Sequence, residues 1–173
     1  AYLRSAARTV GVAAAVTVVC AAMALPMSFY MARIAAPARR SALVALVLTP
    51  LWASYLVKVY AWRTMLTPGS GVLAWLLGPL HLSSPGYGMT GVVITLAYLW
   101  LPYMVLPVYA GLERLPSSLL DASADLGAGF ATTMRSVVLP ILKPAVIAGS
   151  IFTFSLSLGD YITVQIVGGK NQM

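Results

Sequence analysis

The chain has 173 residues, 60% hydrophobic and only 9% charged, with a mean hydropathy of +0.88, whereas soluble domains run about 45–50% apolar and about 25% charged. This composition excludes an ordinary soluble globular domain and points to a chain that lives in a bilayer. The net charge of +7 comes from eleven basic residues against four acidic ones, but the basic residues stand singly or in pairs between apolar runs. They form no stripe or tail of the kind that binds nucleic acid.

A helix needs about 20 apolar residues to cross the hydrocarbon core. Arg4 and Arg8 followed by "VGVAAAVTVVCAAMA" imitate a secretory signal peptide. The apolar run nevertheless continues through Leu25, Met27 and Phe29 to Met31, so the first predicted span, A, covers Thr9 to Ile34. The single cysteine, Cys20, lies inside it, cannot form an internal disulfide and reads as a small buried side chain. The connection "ARIAAPARRS" carries Arg33, Arg39 and Arg40 and is expected on the cytoplasmic side by the positive-inside rule.

Span B follows from Ala42 to Leu66. Lys58 and Arg63 near its end are expected to snorkel to headgroups. The next connection, "TPGSGVLAWLLGPLHLSSPGYG", holds no Lys, Arg, Asp or Glu, has His81 as its sole group with an ordinary pKa near neutrality, and has one short amphipathic turn over Val72 to Leu77; it is expected outside, with His81 a surface residue. Span C covers Met89 to Leu112, with Glu113 and Arg114 making interfacial contacts at its inner end. A long polar connection, residues 113–140, carries Arg114 and Arg135 with Lys143 just beyond, and is expected in the cytoplasm. Span D covers Ile141 to Val167. Arg4, Arg8, Lys58, Arg63 and Lys170 fall on or near the outer side and weaken the charge bias.

Pro26, Pro50, Pro102 and Pro107 interrupt spans A to C, each removing a backbone hydrogen bond and inviting a kink. The predicted fold class is all-α, a polytopic transmembrane helical bundle forming a single domain over residues 1–173 with four spans. Because the chain opens on Ala1 and stops at "GGKNQM" just after a span, it is expected to be an internal piece of a longer protein, incomplete at both ends.

The polar connection contains "LLDASADLGAGFATTMRSVVLP". Leu119 to Leu126 reads as a short helix with Leu119, Leu120, Ala122, Ser123 and Leu126 on one side and Asp121 and Asp125, four apart, on another, suited to a membrane surface. Gly127 and Gly129 permit a sharp turn. "FATTMRSVV" then resumes helical spacing, and Leu139-Pro140 marks re-entry into span D.

This stretch resembles the cytoplasmic "EAA" signature of the permease subunits of binding-protein-dependent ABC importers. That pattern is Glu-Ala-Ala, three residues, Gly, nine residues, then Ile-x-Leu-Pro. Here Asp121-Ala122-Ser123 is followed by "ADL", Gly127, "AGFATTMRS" and Val137-Val138-Leu139-Pro140, with the spacing kept throughout and Asp, Ser and Val in place of Glu, Ala and Ile. The resemblance implies that Asp121, Ala122, Ser123, Asp125, Gly127, Leu139 and Pro140 belong to a coupling loop that docks into a groove on an ATPase subunit. It implies as partners a second permease subunit, two ATPase subunits and an extracytoplasmic substrate-binding protein, in a bacterial inner membrane. Spans A to D resemble the second to fifth of six helices. No Walker A pattern occurs, "GGKN" failing it, so ATP and Mg are expected on the ATPase partners, no cofactor on this chain, and no catalysis by it. A lone His and a lone Cys give no metal-ligand spacing.

"SLSLGDYITVQIVGG", Ser155 to Gly169, resembles the fifth-helix signature of the spermidine/putrescine permease branch, with Val164 where that branch shows proline. Polyamine is the substrate the resemblance implies, with iron, thiamine, opines or sulfate as alternatives. A rival from a different class is a non-ABC polytopic membrane enzyme or assembly factor whose cytoplasmic loop binds an unrelated partner; the other rival, a secondary transporter or channel, would need intramembrane ion-coupling groups beyond Asp160.

Asp160 is the sole acidic residue in a predicted span, where a charge costs about 2.5–3.5 kcal/mol on insertion scales. With Tyr161, and with Trp52, Tyr55, Trp100 and Tyr103 on neighbouring helices, it could receive an ammonium group by charge and cation–π contact. Equally, it could pair with a buried Lys or Arg or cap a helix broken after Gly159. Each aromatic taken alone fits an interfacial belt or packing.

Overall fold

The fold is described from a computed structural model, which covers residues 2–77 and 86–169. His81 and Lys170 lie outside the described residues. Helix α1 spans Tyr2–Phe29 and runs on through a π-helical turn, Tyr30–Ile34; α2 is Pro37–Trp52, α3 Tyr55–Met65, α4 Val72–Leu77 and α5 Met89–Glu113. After α6 (Ser117–Asp125), α7 (Phe130–Thr133) passes through a second π turn, Met134–Val138, into α8 (Leu139–Gly159), and α9 is Tyr161–Val167. No strand occurs among the described residues.

Three helices, α1, α5 and α8, pack against one another and form the centre. Small residues permit this. The buried stripe of α1 is Ala13, Val16, Cys20, Ala24 and Ser28, at helical spacing, and α8 presents Leu142, Gly149, Thr153 and Ser157. In lipid no hydrophobic force drives helices together, so close packing through small side chains supplies much of the association. Helix α5 lies innermost, burying Leu96, Leu99, Met104, Val105, Val108 and Leu112. Cys20 is a buried, small core side chain, its Sγ 3.5 Å from the Ala97 carbonyl oxygen. A Cβ at Gly149 would meet Met104 Sδ at 2.8 Å and Pro107 Cγ at 3.1 Å. Gly149→Leu is therefore expected to lower stability in detergent by about 1–3 kcal/mol, the range for overpacked cores, read as a drop in the midpoint of thermal inactivation; an unchanged midpoint would mean that α5 and α8 can separate freely.

Three spans differ from their sequence-based expectation. The helix of span A starts at Tyr2 rather than Thr9. Span B is not one straight helix: α2 and α3 meet at a 97° bend. Ala53 and Ser54 are both extended, with ψ of 143° and 135°. The residue four after Pro50 thus leaves the helix, and the Pro50 carbonyl is taken instead by the Lys58 ammonium at 2.8 Å. Lys58 therefore holds the bend rather than reaching for headgroups. Span D begins earlier and ends earlier than expected. The helix is continuous from Phe130 to Gly159, 30 residues, with no break at Leu139-Pro140. The Leu139 N–H reaches back five residues to the Met134 carbonyl; this wider turn takes up a proline that would otherwise break the ladder. The break falls at Asp160, whose ψ of 82° separates α8 from α9.

The connections sort to opposite ends. At one end Arg33 donates to the Leu112 carbonyl at 2.6 Å and to the Leu115 carbonyl, and Arg40 stands 3.6 Å from Glu113, so the α1–α2 and α5–α6 connections lie together. At the other end the Gly88 N–H donates to the Val167 carbonyl at 3.2 Å and Thr67 Oγ1 pairs with Tyr87 Oη at 3.0 Å. The arginine-bearing connections thus share one face, as a positive-inside topology requires.

Candidate functional site

At the arginine-rich end, Pro116, with ψ of 134°, starts α6. The helix is closed by paired backbone bonds: Gly127 N–H to Ala124 O at 2.8 Å and Ala128 N–H to Ser123 O at 3.0 Å. This is a Schellman arrangement, which needs a left-handed residue after the cap; Gly127, at φ +76°, fills it. Gly129, at φ −70°, does not need to be glycine for its backbone. Leu120 turns inward against the core, while Asp121, Ala122, Asp125 and Leu126 are exposed, Leu126 by 88%. The apolar side expected to lie on the membrane is therefore divided: Leu120 and Ser123 face the protein, and Ala122 and Leu126 form an apolar strip between two carboxylates.

Ser123 is buried, and its Oγ lies 2.7 Å from Thr133 Oγ1. The hydroxyl ties α6 to α7, a link that alanine at this position could not make. Ser123→Ala should loosen the hairpin by about 1 kcal/mol, the net worth of one hydrogen bond, seen as faster amide exchange over residues 117–133; unchanged exchange would show the link to be idle. Leu139 is half-buried and lines an apolar cavity of about 330 Å³ with Phe29, Phe130 and Leu142, among others; Pro140 is exposed. Neither joins the face presented by α6.

The second locus lies where α8 breaks. Asp160 is 8% exposed. Its Oδ1 accepts from the Tyr55 hydroxyl at 2.5 Å and from the Thr163 N–H at 3.0 Å, and Thr163 Oγ1 lies 2.9 Å from Tyr55 Oη. Of the structural readings the sequence left open, capping of α9 is thus realised. It uses only half of the carboxylate. Oδ2 is buried with no hydrogen-bond partner, as are Ser157 Oγ, Thr153 Oγ1 and Trp100 Nε1. No Lys or Arg pairs with Asp160 within salt-bridge distance among the described residues.

Asp160 also stands in the wall between two cavities. One, of about 320 Å³, is lined by Tyr55, Trp100, Ser155, Gly159, Asp160 and Tyr161, among others. The other, of about 250 Å³, is lined by Ser5, Arg8, Thr9, Ser157 and Asp160 with apolar neighbours. Tyr55 stacks on Trp100 at 6.4 Å between centroids, and Trp100 meets Tyr103 at 5.9 Å. Trp52, at the end of α2, is 89% exposed and lines neither cavity. The structure thus gathers Asp160, Tyr161, Tyr55 and Trp100, adds Tyr103 behind Trp100, and leaves Trp52 apart. Ser157 was missed from sequence; its spacing of four from Thr153, which puts both hydroxyls on one face of α8, was the signal. Among the described residues no group of three or more His, Cys, Asp or Glu could hold a metal.

Membrane-length apolar helices around a common centre, a capped polar hairpin on the arginine-rich face and a half-satisfied buried carboxylate define a multi-pass membrane protein with an internal polar site. A model of the family described as "binding-protein-dependent transport system inner membrane component" matches residues 13–173, and the chain belongs to that family. It is 47% identical over 176 residues to the inner membrane ABC transporter permease protein YdcU of Escherichia coli (strain K12), covering 93% of this chain and 56% of that protein. It is 32% identical over 157 residues to the spermidine/putrescine transport system permease protein PotB of Haemophilus influenzae, covering 88% and 54%. A PotB homolog of Mycoplasma pneumoniae is 32% identical over 150 residues, covering 86% and 51%. The chain spans about half the length of the curated relatives it matches. The resemblance read from residues 121–140 is borne out at the level of the family, and the location is the inner membrane.

Proposed function

We propose that this chain is part of the transmembrane subunit of an ATP-driven, binding-protein-dependent importer, in which α6 is the element that receives the motion of an ATPase. The observation that carries this reading is the hairpin of α6 and α7, closed by the bonded turn at Gly127 and the Ser123–Thr133 hydroxyl pair and joined at either side to the central helices α5 and α8. A push on the exposed strip of Ala122 and Leu126, flanked by Asp121 and Asp125, passes through those links to both helices. It tilts α5 and α8 and exchanges inward-open for outward-open states, driven by the tighter binding of ATP to the closed ATPase pair. ATP and Mg reside on those partners; a second permease subunit completes the path and a binding protein delivers the solute.

For the solute we propose an amine of the spermidine/putrescine class. The Asp160 Oδ2 atom, buried without a partner, is costly to keep charged unless a cation meets it, and the aromatic wall of Tyr55, Trp100 and Tyr161 adds cation–π attraction of about 0.5–2 kcal/mol. The PotB relatives support the same class; the likeness to YdcU supports the permease role without a named solute. The test is ATP hydrolysis by the reconstituted full-length complex, screened with spermidine, putrescine, ferric iron, thiamine and sulfate. Stimulation by the amines alone is expected. Stimulation only by another solute would replace the polyamine assignment, and absence of any co-purifying ATPase would remove the importer role.

A further inference from the structure

One arginine at the α1–α2 connection is placed to do more than set topology. Arg33 lies in the π turn that ends α1, where the Ala35 N–H reaches the Tyr30 carbonyl at 2.9 Å. It is half-buried, and one guanidinium nitrogen, Nη2, donates to two carbonyls at the end of α5: Leu112 at 2.6 Å, and Leu115. The last carbonyls of a helix carry its partial negative charge. The Leu112 carbonyl already accepts from the Arg114 and Leu115 N–H groups, the latter at 3.2 Å, and the guanidinium adds a charged donor to it while also reaching Leu115, just beyond the helix end. Leu115 is itself buried, and it is followed at once by Pro116, the residue that starts α6. The guanidinium therefore joins α1 to the root of α6, across 82 residues of sequence.

Neighbouring contacts brace the joint. Arg40 Nη2 donates to the Ala32 carbonyl at 2.7 Å, and Glu113, 3.6 Å from Arg40, accepts from the Tyr109 hydroxyl at 2.7 Å. That ion pair is partly solvent-exposed and contributes little by itself. The remaining α1–α5 contact is largely apolar, with two longer side-chain bonds, Cys20 Sγ to the Ala97 carbonyl at 3.5 Å and Ser28 Oγ to the Val105 carbonyl at 3.4 Å, and packed helices can slide by small shear movements. The shorter, charged bonds of Arg33 fix the register at the end nearest α6.

We propose that Arg33 is a positioning residue for energy coupling: it clamps α1 to the root of α6, so that α1 travels with the hairpin as one body when an ATPase moves it. The inference rests on the importer reading above. Without the clamp, motion of α6 would tilt α5 and α8 while α1 lagged, and the three-helix centre would open incompletely.

The experiment uses the full-length permease in its complex. In Arg33→Met, ATP hydrolysis is expected to stay within about twofold of wild type while solute moved per ATP falls about tenfold, and Arg33→Lys, which keeps the charge and donors, restores transport to within about threefold; coupling energies between sites commonly span this range. Parallel loss of hydrolysis and transport, or no loss of transport, overturns the clamp. Because Arg33→Met could fail to fold, a second measurement needs no change at Arg33. Spin labels on Ala36→Cys and Ser118→Cys, both exposed positions, with Cys20 buried, report the distance across the joint. An unchanged distance between nucleotide-free and ATP-trapped wild-type complexes is expected; a change of several ångströms overturns the proposal. If the wild-type complex moves no solute with ATP, the importer reading fails, whereas the label distance judges the clamp alone.

Discussion

Asp160→Asn is expected to weaken transport of an amine substrate by about 10- to 100-fold while leaving the complex assembled, the range for losing one hydrogen bond to a charged group. The substitution is selective for a structural reason. Oδ1 of Asp160 already serves the Tyr55 hydroxyl and the Thr163 N–H, and the amide oxygen of Asn can accept both. What changes is the other atom: Oδ2, buried and without a partner, becomes an uncharged NH₂ donor. Asp160→Ala removes cap and charge together, so it should lose transport and also about 1 kcal/mol of stability from the uncapped start of α9. Solute-stimulated ATP hydrolysis and thermal inactivation of the two variants separate the roles. Full transport in Asp160→Asn with impaired folding in Asp160→Ala would make Asp160 a structural residue only.

The legible parts of this fold were those governed by local chemistry. The apolar runs around Ala13 to Ala24 and Val92 to Val108 marked α1 and α5 because nothing but a helix satisfies the backbone in lipid. The turn over Val72 to Leu77 and the helix around Asp121 were legible from spacing and from the glycine that closes the second. What escaped was decided by tertiary partners. Pro50 looked like one more tolerated proline, yet the chain bends by 97° three residues later because Lys58 can reach the freed carbonyl. Pro140 looked like a boundary, yet a π turn carries the helix through it.

At the site, the charge of Asp160 was conspicuous from sequence, but not the division of labour between its two oxygens. That depends on Tyr55, 105 residues away. Trp52 could not be separated from Tyr55 by type or proximity; the extended pair Ala53 and Ser54 between them sends the two rings to different surroundings. The Asp and Ser departures in the motif also acquire meanings. Asp121 keeps an exposed charge, whereas Ser123 is buried and adds a bond to Thr133.

The second large effect is expected at Gly127. Its φ of +76° is a conformation that L-residues adopt at a cost of roughly 1–2 kcal/mol. A Cβ built there meets nothing within 4 Å, so alanine suffers backbone strain but no collision inside the hairpin. Gly127→Ala should therefore insert, fold and transport within about threefold of wild type, its deficit set by that strain alone. Gly127→Trp carries the same strain and adds an indole beside exposed Leu126 and Asp125, on the face proposed to enter the ATPase groove. A groove fitted to the native face has no room for it, and misfit of a large side chain in a packed interface costs several-fold more than the strain. Transport and ATPase co-purification are expected to fall by about 100-fold in Gly127→Trp, with membrane insertion and thermal stability matching Gly127→Ala. Equal transport by the two variants would mean that this turn does not meet the motor, and the docking face would have to be sought elsewhere on the arginine-rich end.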